Sequence, residues 1–68
     1  MKWTDVFAIA RQLAETYPGI DPISIGHADM KSWILRFNSF GDAPERCTRN
    51  TLEAIQYAWI EECGSLAY

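Results

Sequence analysis

The stretch YPGIDP, residues 17–22, decides how the chain is divided. Pro18 donates no backbone hydrogen bond and biases Tyr17 away from helical geometry, so a helix arriving from the N-terminal side must stop here. Gly19 is expected to take the left-handed conformation common just after a helix. Pro22 then holds the chain extended or in a turn, and residues 23–25 are expected to form a short strand or simply to cover the core. Asp21 is not needed for any of this, which leaves its carboxylate to the surface.

Backwards from the break, Val6, Ile9, Ala10, Leu13 and Tyr17 fall on one face at helical spacing, with Arg11 and Glu15 opposite. Thr4 is the expected N-cap, and Asp5 would stand in the first turn, where the helix dipole favours an anion. Forwards from it, a second helix is expected from near Asp29, with Met30, Trp33, Ile34 and Phe37 as its apolar face. It fades into NSFGDAP, residues 38–44, a loop by composition. A third helix is expected from an N-cap at Thr48, with Leu52, Ile55, Trp59 and Cys63 as its buried stripe and Gly64 as its C-terminal cap. The expected architecture is a small, mainly α, three-helix domain over residues 1–63, with residues 64–68 a frayed tail.

Sixty-eight residues make one domain. A chain this short buries only about 60% of the surface its unfolded form exposes. Three each of Trp, Tyr and Phe give the small core large pieces to bury. Trp33 and Trp59 lie on the apolar stripes, and Trp3 is expected to fold back over the first turn like a staple. No apolar run reaches the roughly 20 residues that span a bilayer. MKWTDVF, residues 1–7, lacks the apolar centre of a signal peptide, so the expected location is cytoplasmic.

Net charge is −3, and neither half of the chain is basic. That opposes nucleic-acid binding, whose nonspecific part comes from lysine and arginine at phosphates. Cys47 and Cys63, with no export signal, read as half-buried free thiols rather than a disulfide. There is no CxxC, no histidine pair and no zinc spacing. No nucleophile elbow, phosphate loop or metalloprotease motif is present either, so catalysis has no visible basis.

The outward faces carry the remaining information. Glu53, Tyr57 and Glu61 follow at i, i+4 and i+8, so they share one edge of the third helix. A tyrosine between carboxylates suits an interface, although a solvated face is the plainer reading. Asp21, Asp29 and Asp42 sit in or beside loops, where carboxylates are the ligand type for a hard cation such as iron(II) or calcium. No D-x-D-x-D-G loop accompanies them, and solvated turn residues explain them as well. His27 stands alone and reads as a turn or surface histidine.

These residues carry a family resemblance. KWTD at 2–5, YPGIDP at 17–22, DM at 29–30, WI at 33–34, FGDAP at 40–44, and LEAI at 52–55 followed by Trp59, Glu61 and Glu62 resemble the IscX family, small accessory proteins of bacterial iron–sulfur cluster assembly. The likeness runs from Lys2 to about Glu62. It implies a fold described as a modified winged helix, no catalytic activity, and no required cofactor. It also implies a behaviour similar to bacterial frataxin: weak binding of iron(II), docking on the cysteine desulfurase IscS, and competition with frataxin for that enzyme.

By the same resemblance, Asp21, Asp29, Asp42, Glu53, Glu61 and Glu62 are expected partner-binding residues, and Tyr57 joins them from its place between carboxylates on the third helix. Asp5, Asp21, Asp29 and Asp42 are the expected metal ligands. The chain departs from the pattern at Gly19, where an acid is common, and in residues 38–44, which are poorer in aspartate. Arg36, Arg46 and Arg49 add positive charge. A hard cation needs several converging oxygens, so thinner acid should weaken iron binding before it weakens docking. The alternatives are an iron(II) donor or sensor and a winged-helix DNA-binding module.

Overall fold

Three α-helices and two single turns of 3₁₀ helix make up the regular structure of the described residues. They are α1 (Val6–Thr16), a turn at Pro22–Ser24, α2 (His27–Leu35), a turn at Pro44–Arg46, and α3 (Arg49–Leu66). The structure, a computed structural model, describes residues 1–66. Among the described residues there is no strand, so the fold is a three-helix, all-α domain without the hairpin of a wing. No helix among them is long and apolar enough to cross a membrane.

The helix at the N-terminal side of YPGIDP ends as its sequence dictates. The N–H of Tyr17 still reaches Leu13 O at 2.9 Å, and the helix goes no further. Gly19 does not become left-handed, and no glycine has a positive φ among the described residues. Instead Ile20 N donates to Tyr17 O at 3.2 Å, closing a right-handed turn that other residues could adopt. Residues 23–25 do not form a strand. Asp21 caps a 3₁₀ turn there: its Oδ1 accepts from Ile23 N at 3.1 Å, and Pro22 takes the first position, where a missing N–H costs nothing. Asp21 is therefore part of the local fold, contrary to the expectation that the turn does not need it.

The other helix boundaries shift for physical reasons. At α1 the N-cap is Asp5 rather than Thr4, and the Asp5 carboxylate accepts from Lys2 N at 2.9 Å. At α2 the helix starts two residues before Asp29, from a Gly26 cap with no side chain to signal it. Asp29 then lies exposed in the first turn, a position the dipole favours. At α3 Thr48 is the cap expected, its Oγ1 accepting from Thr51 N at 3.1 Å. Gly64 does not end α3, which continues to Leu66. Ala67 and Tyr68, the rest of the tail expected to fray, lie outside the described residues.

The helix α3 is the centre of the molecule, and α1, α2 and the Pro22–Ser24 turn all pack on it. Ile9 and Leu13 from α1, Met30 and Ile34 from α2, and Ile55 and Trp59 from α3 are fully buried. Burying side chains of this size stabilises by about 1.5–3 kcal/mol each. Trp33 is half-buried and bridges the layers, stacked on Tyr17 at 4.4 Å and edge-on to Trp59 at 6.4 Å. The resulting Cα radius of gyration, 10.9 Å, equals the roughly 11 Å expected of a compact chain this long.

Trp3 does more than staple the first turn. It is 3% exposed, meets Phe40 edge-on at 4.6 Å, and donates its Nε1–H to Ala43 O at 2.8 Å. Gly41 N donates to Met1 O at 2.9 Å, and Lys2 Nζ to Gly41 O at 2.8 Å. The loop between α2 and α3 is thus stitched to the N-terminal residues, which explains how it holds its shape with a single 3₁₀ turn as its regular structure.

Candidate docking surface

The outer edge of α3 follows from its inner one. Leu52, Ile55 and Trp59 face the core, so helical geometry turns Glu53, Tyr57 and Glu61 outward. Tyr57 is 67% exposed and Glu61 is exposed. Glu53 is half-buried and pairs with Arg49 at 3.5 Å, one turn earlier. That pair is largely open to solvent and adds at most about 1 kcal/mol, and it sets a positive charge beside the carboxylate that Glu53 offers a partner. Glu62 is rotated by about 100° from Glu61 and is half-buried, so it stands off this edge.

Asp21 reaches the neighbourhood of the same helix through a residue that sequence reasoning missed. Gln56 of α3 donates its Nε2–H to Pro22 O at 2.8 Å and to Ile25 O at 3.4 Å. Its Oε1 lies 3.3 Å from His27 Nε2. With the Gln56 amide nitrogen turned to two carbonyls, Oε1 must accept, so His27 carries its proton on Nε2. His27 is half-buried and is a structural partner, not the free surface group expected. One side chain thereby fixes residues 22–27 against α3. The only local hint is a polar residue beside the Leu52–Ile55–Trp59 stripe.

Asp42 is engaged inside the molecule. Its Oδ2 accepts from Trp3 N at 3.2 Å, and its Oδ1 accepts from Ala43 N at 2.8 Å and lies 3.7 Å from Arg46. Its side chain is only 9% exposed. The Trp3 N–H, above all, holds its carboxyl below the usual range. The Ala43 N–H and the charges of Arg46 and Lys2 add to this, against an opposing effect of burial. Asp42 therefore ties the N-terminal segment to the loop and offers a partner little free carboxylate.

The four expected metal ligands are spread over the N-cap of α1 (Asp5), the cap of the Pro22–Ser24 turn (Asp21), the first turn of α2 (Asp29) and the α2–α3 loop (Asp42). Among the described residues, no three His, Cys, Asp or Glu side chains converge closely enough to hold a metal ion. Cys47 and Cys63 are free and half-buried, as expected. Cys47 lies before the start of α3 and Cys63 about four turns along it, and no disulfide joins them. Burial pushes the Cys47 thiol up, partly offset by Lys31. An open groove runs along α1 beside Phe7, which is 74% exposed. It contains no constellation of catalytic groups.

Comparison with known proteins adds a second line to this geometry. The model of a family described as iron–sulphur cluster assembly matches residues 1–64. An uncharacterized protein of Pseudomonas aeruginosa is 47% identical over 62 residues, covering 91% of this chain and 94% of that protein.

Proposed function

The chain belongs to the iron–sulphur cluster assembly family, and we propose that it acts there as a non-catalytic adaptor, docking on the cysteine desulfurase IscS through the acidic edge of α3. The observation that carries this reading is the exposed Tyr57 set between Glu53 and Glu61 on a rigid, centrally packed helix. A rigid helix presents that edge at little entropic cost. Tyrosine supplies contact area, and the flanking carboxylates draw a basic enzyme surface by long-range attraction. Asp21 and Asp29 extend the negative field from the neighbouring elements. A basic patch engaged this way is the patch that bacterial frataxin would also contest.

Weak iron(II) binding, and with it an iron donor or sensor role, has less support. Hard cations take about six oxygens, and the described carboxylates do not gather. A winged-helix DNA reader has less still. The described fold has no wing strands, the α2–α3 connection spans residues 36–48 rather than a tight turn, and the chain is acidic.

Titration of the desulfurase at two ionic strengths tests the proposal. Affinity should fall as salt rises. Glu53→Lys or Asp21→Lys should weaken it roughly tenfold or more at low salt, with the difference narrowing at high salt. No measurable affinity at low salt would end this reading.

A further inference from the structure

Besides Phe7 on α1, two large apolar side chains stand exposed among the described residues, and a hydrogen-bonded clasp connects their elements. Ile23 is 71% exposed at the tip of the Pro22–Ser24 turn, and Tyr57 stands on α3. Between them Gln56 holds Pro22 O, Ile25 O and His27 Nε2. Pro22 itself is buried against α3. The turn is one residue wide on either side of Ile23, so its freedom is set by that clasp and by the Asp21 cap.

An apolar side chain at the tip of a tight turn does nothing for the core it points away from. Tied by Gln56 to the helix that carries the acidic edge, it can do something for a partner. Carboxylates steer association and set its salt dependence, whereas desolvated apolar anchors slow dissociation and carry most of the binding energy. We infer that Ile23 is the apolar anchor of the docking surface, and that Gln56 is a positioning residue which locks the Ile23 turn to the Glu53–Tyr57 edge. The inference rests on the docking reading above and names the partner surface more closely: an apolar depression rimmed by lysine or arginine. The acids Asp21 and Glu53 complement that rim. A uniformly basic surface would gain nothing from Ile23.

The test is a titration of the desulfurase with this 68-residue chain and three variants: Ile23→Ser, Gln56→Leu and the double variant. Ile23→Ser should weaken affinity about tenfold at both low and high salt, leaving the salt slope unchanged. Gln56→Leu keeps the volume but removes the clasp. It should weaken affinity about three- to tenfold, and amide hydrogen exchange at residues 23–25 should accelerate while the α3 core stays protected. The double variant should bind no worse than about twofold below Ile23→Ser alone, because the clasp acts through Ile23. Wild-type binding that Ile23→Ser changes by less than twofold would overturn this inference and leave the docking function standing. Multiplying losses in the double variant would overturn the positioning role of Gln56. No binding by the wild type would overturn the function, and this inference with it.

Discussion

Asp42 shows how one carboxylate can look like a surface ligand and serve as a structural tie. In the chain it is an acid beside a glycine in a loop; in the fold it receives the N–H groups of Trp3 and Ala43. Its folded pKa lies below the ordinary 3.8, so the native state prefers the charged form. The stability this adds is fully present above about pH 4 and disappears as pH falls through the depressed value. Asp42→Asn should therefore lower stability at neutral pH and flatten its decline in acid, which urea melts at a series of pH values would reveal. Equal slopes for both proteins would contradict the assignment. The Trp3 N–H that chiefly holds Asp42 lies 39 positions away in sequence, so no local pattern announces it. Asp21 was more legible: an acid directly before a proline is a cap signal, and its role in the turn could have been read from those two residues.

Each helix was legible in proportion to how much of its evidence is local. The stripes Ile9–Leu13 and Leu52–Ile55–Trp59 repeat at helical spacing and place α1 and the start of α3 almost to the residue. The start of α2 was misread because Gly26 caps it with backbone alone and His27 and Ala28 add no stripe. Gly64 was misread as a stop signal, since glycine more often follows a helix than continues one. Its actual place within α3 gives a prediction. A Cβ there would meet nothing within 4 Å, so Gly64→Ala should stabilise the protein by about 0.5–1 kcal/mol through helix propensity. A thermal melt that does not rise would imply that the last turn of α3 adds nothing to stability. The partners of the Gln56 clasp were not legible, because it joins residues about thirty positions apart.

At the scale of the molecule, a small core leaves little margin. Stability for a chain of this length is roughly 3–10 kcal/mol. Ile55, fully buried at the centre, should cost about 2–5 kcal/mol when replaced by alanine, lowering the melting temperature by about 10 °C or more. A smaller shift would mean that α1 and α2 close over the gap. The same arrangement gives the molecule an internal optical gauge. Trp59 is sealed from solvent, and its Nε1 finds no acceptor among the described residues, while Trp3 bonds a carbonyl and Trp33 lies partly open. Its emission should sit at the blue end of the protein's fluorescence and move red only when the centre is breached. A partner seated on the outside of α3 would leave that blue component in place, so light alone can separate docking from melting.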